Sequence, residues 1–227
     1  MEDNIKENDI KLEFCKRTDK RYKEIRDRHY IPNNGTHGQQ MHFLVHYKGN
    51  IVGIISGASS VYGVKSRDDF FNIPKDRDIK QKYYLPAIIN NVVFRLEYHE
   101  KNLATRVLSK FRKVISKLWE EIYEVPVIGF ETFVVETETR KGALYKADNW
   151  IFVGYTKGST KLHDKGLKNK SVRKSTDKKM IYCKWINNKP IVPTTEYKSS
   201  WKCETEIEKA RKRRIDKLKK DLIGKLF

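Results

Sequence analysis

Long apolar runs are missing from this 227-residue sequence, and none approaches the roughly 20 residues that a helix needs to cross a bilayer. Cysteine is scarce. Cys15, Cys183 and Cys203 are odd in number and lack metal-ligand spacing. They read as reduced thiols, which argues against a disulfide framework and for a cytoplasmic protein. The stretch from Met1 to Asp9 is charged throughout and offers no apolar segment for a secretory signal. No Walker loop, dinucleotide glycine motif, His-Glu-x-x-His or Gly-x-Ser-x-Gly elbow occurs. The usual nucleotide, zinc-protease and serine-hydrolase motifs are therefore absent.

Negative charge is short as well. The 48 Lys and Arg against 29 Asp and Glu leave a formal charge of +19, a field that favours a polyanionic partner. Nucleic acid ranks first and an anionic membrane second; the expected partner is double-stranded DNA, without a membrane. The excess is concentrated. Residues 155–179 hold nine Lys and Arg against two Asp, and residues 205–227 hold nine against four acidic groups. Solvated tails are the competing reading of both runs.

What is present organises into an α/β domain. Ile10–Phe14 suits an edge strand, and Lys20–Arg28 a short charged helix leading to His29. Met41–Tyr47 alternates in hydrophobicity, Lys48-Gly-Asn50 turns the chain, and Ile51–Ser56 returns, which predicts a hairpin. Residues 57–83 are irregular and read as an insertion or a lid. Ile88–Tyr98 predicts a strand with Asn91, Val93, Arg95 and Glu97 on one face. Asn102 then opens the longest amphipathic helix, with Leu103, Val107, Phe111, Val114, Leu118 and Ile122 as its stripe. Val127–Val135 is a buried strand, and it should lie parallel to the preceding one because the helix is long enough to cross over. A last strand at Met180–Ile186 and a basic helix over 203–226 complete the chain. The expected division is an N-terminal extension at 1–25, a catalytic domain at 26–186, and a linker with basic helix at 187–227.

The most informative segment is Gly142-Ala-Leu-Tyr-Lys-Ala-Asp-Asn-Trp-Ile-Phe-Val-Gly154. It reads as a short helix turning at Asn149-Trp150 into a strand. Tyr145 would hold a phenol near a chain reversal, where it could donate a proton or orient a substrate. Tyr145 and Trp150 as core aromatics is the alternative. Around it, His29, Tyr30, Arg95, Glu97 and Glu136 form the candidate catalytic set, and Asn91, Asn149, Trp150, Lys101 and Arg106 the candidate substrate-binding set. Arg95 and Glu97, at i and i+2 on one strand face, equally suit a structural ion pair. His37, His42 and His46 offer a weak iron or zinc site. Tyr30, Tyr62, Phe70, Phe71, Tyr83 and Tyr84 lie where they could stack on a flipped base, or cover a sheet edge.

Tyr145-x-Ala-x-Asn-Trp150, His29-Tyr30 followed by a hairpin, Ile89–Glu97 and Glu131-Thr-Phe-Val134 together resemble two phage-conflict families. One is the Mom family of phage DNA adenine-modification proteins. The other is the DruA-like family of the Druantia anti-phage system, matched notably at Asn102-Leu-Ala-Thr105 and Glu131–Val134. The Mom resemblance implies a GNAT-like mixed central sheet flanked by helices, here with a basic C-terminal helix. It also implies a transferase adding a carbamoylmethyl-type group to adenine N6 in DNA as protection from restriction. In that reading Tyr145 and His29-Tyr30 fall on functional positions, while the family's Asp has only Glu136 nearby. The DruA-like resemblance implies a DNA-binding component of an anti-phage defence without that activity. A GNAT-like enzyme would take an acyl-CoA donor at the start of the long helix. His99-Glu-Lys-Asn-Leu-Ala-Thr-Arg106 lacks the glycines of the usual phosphate loop, which leaves an aminoacyl or other glycine-derived donor open.

Overall fold

The computed structural model describes residues 9–31, 38–156, 178–187, 192–193 and 205–227. His37, Cys203 and most of the basic linker lie outside the described residues.

Seven strands form one sheet in the order β1-β2-β3-β4-β5-β7-β6. The strands are β1 (Ile10–Cys15), β2 (Gln40–Tyr47), β3 (Asn50–Ser59), β4 (Ile88–Leu96), β5 (Gly129–Val135), β6 (Ile151–Tyr155) and β7 (Lys179–Trp185). The predicted hairpin is β2–β3, turned by Lys48 and Gly49, both at positive φ. All neighbours pair antiparallel except β4 and β5, which are parallel. Their crossover contains α5 (Leu103–Tyr123), as a parallel connection demands. The apolar stripe of α5 is fully buried at Leu103, Val107, Phe111, Ile115 and Ile122. Phe111 and Ile115 reach the sheet at Gly57, where a Cβ would clash with Ile115. This is the mixed central sheet flanked by helices that the sequence predicts.

The remaining helices are α1 (Lys20–Asp27), α2 (Lys65–Phe70), α3 (Arg77–Ile79), α4 (Leu85–Ala87), α6 (Ala143–Ala147) and α7 (Glu206–Leu222), with a π-helical turn at Lys80–Tyr84. α6 packs on the α5 face of the sheet. α1 covers the opposite face, where Tyr22 and Ile25 meet Leu44, Ile54 and Val93. Residues 57–83 are not a lid. β3 runs on to Ser59, and Phe71 is buried against Gly129 beside Trp185. Beneath it lies a buried charge network. The Arg67 guanidinium donates to Glu131 at 2.8 Å and to Asp68 at 2.7 Å, and Lys80 donates to Asp68. Among the loop aromatics, Phe71 and Tyr84 are core residues and Phe70 stacks on Trp185. Only Tyr30 and Tyr62 of that set are exposed.

The two ends of the described chain belong to the same body. β1 lies inside the expected N-terminal extension yet pairs with β2 along its full length. Residues after α7 return to β1, with Leu12 and Phe227 exchanging backbone hydrogen bonds at 2.9 and 3.0 Å. That pairing covers the β1 edge, which would otherwise present open donors and acceptors. α7 has a capping box at Thr205 and Glu208. Its Arg211 and Arg214 donate to the Tyr123, Ile122 and Glu121 carbonyls at the end of α5. Those carbonyls have no partner within their own helix. The basic helix is thus a C-terminal cap for α5 as well as a charged surface. No described helix is long and apolar enough to cross a membrane.

Candidate active site

β4 and β5 pair over only three residues, Ile88–Asn90 with Gly129–Glu131. β4 continues to Leu96 and β5 to Val135, so the strands part at Asn91 and Thr132. Beyond that point β4 pairs with β3 and β5 with β7, and the edges facing the fork have no ladder partner among the described residues. A fork of this kind offers backbone N–H and C=O groups to an extended ligand.

A bulge sits at the fork. Gly57 pairs with Asn91 but Ser56 pairs with Val93, so Val92 is the extra residue. The bulge breaks the predicted alternation. Asn91 turns to the α5 face, while Val93, Arg95 and Glu97 belong to the α1 face. The Asn91 amide donates to the Ser56 and Val93 carbonyls at 3.0 and 3.1 Å, which fixes both the bulge and the amide's orientation.

Tyr145 meets Asn91 there. Its hydroxyl donates to Asn91 Oδ1 at 3.0 Å, and the Thr132 hydroxyl lies 3.3 Å from it and 3.1 Å from the Asn91 carbonyl oxygen. Asn91, Thr132 and Tyr145 are all buried. Burial pushes the Tyr145 phenol well above its ordinary pKa, with Tyr30 adding to the push. The phenol therefore stays protonated, with its single O–H given to Asn91 at the floor of the fork.

Local sequence places this phenol. Gly142, at φ +70°, begins α6 against the Tyr182 ring, which a Cβ would strike. Asn149, at φ +58°, ends it. Asp148 ties α6 down by accepting from Arg112 on α5, and from the Trp150 indole at 2.7 Å. Trp150 is buried with its ring 5.2 Å from that of Tyr145. Asn149 and Trp150 thus position Tyr145 through the turn, and Asn149 itself is exposed.

His29 and Tyr30 follow α1 and close the mouth of the fork. Tyr30 hydrogen-bonds the Val135 backbone at the end of β5. Its ring stacks on His29 at 4.6 Å and carries the Arg140 guanidinium 3.9 Å from its centroid. Burial, then the charges of Arg26, Arg95 and Arg140, push His29 down to about 4. The imidazole is neutral near pH 7, and its Nδ1 accepts from the Ile31 N–H at 3.2 Å. The mouth is electropositive and aromatic.

The candidate carboxylates stand apart from the phenol. Glu97 accepts from Arg95 at 2.5 Å and from Arg28 at 3.4 Å, and Arg95 also donates to the Arg28 carbonyl at 2.8 Å. That arrangement clips α1 to β4 beside the mouth, and the Arg95 hydrogen bond holds Glu97 below its usual pKa. Glu136 is exposed and accepts from the Tyr155 hydroxyl at 3.0 Å. His42 and His46 are committed elsewhere. His42 Nδ1 lies 3.0 Å from Ser56 Oγ and 3.2 Å from Tyr22 Oη, and His46 Nε2 lies 2.8 Å from Glu13. Among the described residues no group of three or more His, Cys, Asp or Glu could hold a metal ion.

Thr132 and Arg140 are the members that sequence reasoning missed. Thr132 stands in the Glu131–Val134 motif, and its place beside a predicted functional tyrosine was the available signal. Nothing local marks Arg140, which depends on the turn closed by its N–H to Thr137 Oγ1 at 3.0 Å.

The start of α5 is the place expected from the sequence for the anionic end of an acyl-CoA donor. It presents Lys101 and Arg106 but no glycine, and Asn102 is itself left-handed at φ +65°. Glu100 stands at the same place, its carboxylate accepting from Tyr47 at 2.7 Å and Tyr98 at 3.1 Å. A fixed carboxylate beside the helix N-terminus opposes a pyrophosphate there. These residues fit a closely cradled pyrophosphate poorly.

Solved structures with a likeness to this chain are acetyltransferases. The ribosomal L7/L12 alpha-N-protein acetyltransferase RimL, in an apo crystal form, is 9% identical with a TM-score of 0.41, covering 65% of this chain and 70% of that one. A Salmonella typhimurium acetyltransferase that modifies the N-terminal serine of ribosomal protein L7/L12 is 10% identical with a TM-score of 0.41, over 66% and 65%. Arabidopsis thaliana NAA60, in complex with a bisubstrate analogue, is 12% identical with a TM-score of 0.48, over 78% and 99%. No curated protein matches the sequence. At the level of families, residues 2–189 match the one described as Druantia protein DruA.

Proposed function

The chain belongs to the family of the Druantia protein DruA, and on that premise we propose that it is a DNA-acting component of an anti-phage defence whose reaction site is the β4–β5 fork. The observation that carries this reading is the buried phenol of Tyr145, oriented by Asn91 and Thr132 where two parallel strands part. A protonated phenol at that point suits a group transfer in which its O–H swings from Asn91 Oδ1 to hydrogen-bond the charge that develops on the reacting group. The +19 charge brings the chain to DNA. The electropositive mouth at His29, Tyr30 and Arg140 receives a phosphate or a base. The donor and its carrier are left open, because the start of α5 does not offer a close pyrophosphate cradle.

The finer reading is transfer of a small carbamoylmethyl-type group from an acyl or aminoacyl donor to adenine N6. Tyr30 favours it, since His29 and Arg140 hold its ring rigid at the mouth while its exposed rim and the Arg140 guanidinium are left to contact a flipped base. Nucleoside mass analysis of DNA from expressing cells tests it. A modified adenine that disappears in Tyr145→Phe is the expected result. Unmodified DNA, together with phage protection that still needs Tyr145, would leave the defence reading in place and remove adenine as the acceptor. Protection that ignores Tyr145→Phe would remove the fork as the reaction site.

A further inference from the structure

A second cleft lies at the opposite end of the sheet from the mouth of the fork. It has a volume of about 450 Å³ and is formed where β1 ends, β2 begins and α7 crosses them. That volume falls within the usual range for small-molecule sites. The cleft sits near the C-terminal end of α5, where the Tyr123 hydroxyl donates to the Gln40 carbonyl at 3.0 Å. The fork mouth lies toward the other end of that 21-residue helix, about 30 Å away along its axis.

Its lining is chemically lopsided. Lys16 and Arg17 approach from the end of β1, and Lys219 and Lys220 from α7. Asp216 is the one carboxylate in the lining. Phe14 and Ile223 give apolar wall, and His42 lines the cleft with its Nδ1 held by Tyr22 and Ser56. The positive field is felt inside the fold. Burial, then the charges of Lys219 and Arg17, push His42 down to about 3. Lys219 has its ammonium 5.0 Å from the centre of the Tyr123 ring, and burial lowers it to about 8. Lys16, Lys219 and Lys220 gather around a partly enclosed space in which Asp216 is the one carboxylate among the described lining residues, and like charges so placed raise one another's electrostatic energy. An anion of charge near −2 relieves the three lysines at once.

We infer that this cleft is a binding site for a phosphate monoester attached to an apolar or planar body. The three lysines meet the phosphate, Phe14 and Ile223 pack on the body, and Asp216 accepts from a donor on it. An isolated backbone phosphate in duplex DNA carries one charge and is bonded on both sides, so it fits the enclosed end less well than a terminal phosphate does. Two sources share the required chemistry, a free nucleoside monophosphate and the 5′-phosphate end of a DNA strand. The inference does not depend on the fork or its reaction.

The test uses the full chain at about 0.2 M salt, which suppresses non-specific DNA binding. AMP is compared with adenosine, and a 5′-phosphorylated oligonucleotide with its 5′-hydroxyl twin, by calorimetry and by the shift in Tm. The expected result is at least about tenfold tighter binding for the phosphorylated member of one or both pairs. Preference for AMP alone identifies a free nucleotide, and preference within the oligonucleotide pair alone identifies a strand end. Lys219→Met and, separately, the exposed Lys220→Gln should each erode that preference by about threefold or more while Tm without ligand holds in at least one of them. Equal binding within both pairs overturns the inference. So does a preference that survives in a folded variant of each lysine.

Discussion

The Tyr145 hydroxyl donates to the Asn91 side-chain carbonyl at 3.0 Å, and the Asn91 amide in turn donates to the Val93 carbonyl of the β4 bulge and to the Ser56 carbonyl of β3 opposite it. One hydrogen-bonded chain therefore links the short helix α6 to the irregularity that opens the fork. Tyr145→Phe removes only the donor and leaves Asn91 Oδ1 buried without it. The expected cost is about 1 kcal/mol of stability, read as a lower urea midpoint at unchanged m. Group-transfer activity under the proposed reading should fall about 100-fold or more, as for loss of a hydrogen-bond donor to the transition state. A stability loss of that size with full activity would make Tyr145 a structural residue.

Gly142→Ala tests the same phenol from the backbone side. Gly142 sits at φ +70°, and a Cβ there meets the Tyr182 hydroxyl and ring. Left-handed strain and overpacking act together, so destabilisation of about 2–4 kcal/mol is expected. Gly142→Asn relieves the backbone strain alone and should be little better if the ring contact dominates. Thermal melts of the two variants separate the causes.

The hairpin, the long helix and the parallel pair were legible because each follows from hydrophobic period and length. α5 ends at the very residue, Tyr123, where its apolar stripe runs out. The bulge at Val92 was not legible. Alternation along Asn91–Glu97 predicts one polar face, and a single extra residue moves Asn91 away from Arg95 and Glu97. The buried Arg67–Glu131 pair was hidden for another reason. Residues 57–83 have no period, and a charge in such a stretch reads as solvated until a partner on β5 is known. The docking of α7 was hard to read because its apolar stripe is thin: Leu222 is buried and Ile215 and Leu218 pack on the core, and Arg211 and Arg214 add hydrogen bonds to the α5 carbonyls that no sequence pattern marks.

His29 and His42 make stability sensitive to acid. Burial lowers His29 to about 4 and His42 to about 3, against an unfolded value near 6.5. Both are neutral in the fold, so the unfolded chain binds more protons as pH falls. Their contribution is fully present above about pH 6.5 and is lost progressively as pH falls toward 4. For His29 the total is on the order of 3 kcal/mol. His29→Asn keeps an acceptor for the Ile31 N–H and removes the titration. Plotted from pH 7.5 to pH 4.5, Tm of that variant should fall less steeply than that of the wild type. Parallel curves would show that His29 is protonated in the fold without penalty.

The exposed charge of α7 should set DNA affinity without setting sequence choice. Lys212, Arg213 and Lys217 are exposed on this helix, whereas Arg211 and Arg214 are engaged with α5. Deleting residues 204–227 would remove the cover of the β1 edge and the cap of α5 along with the charge, so truncation confounds folding with binding. Neutralising Lys212, Arg213 and Lys217 to Gln changes charge alone and should shift Tm by little. Side chains that meet only phosphates contribute through released counterions. Each phosphate neutralisation removed should reduce the slope of log K against log salt by about 0.9. Binding to unrelated duplexes should weaken in parallel, with their ratio of affinities unchanged. A triple variant with the wild-type affinity and slope would place the DNA-binding surface elsewhere, with the mouth at Tyr30 and Arg140 as the next to test.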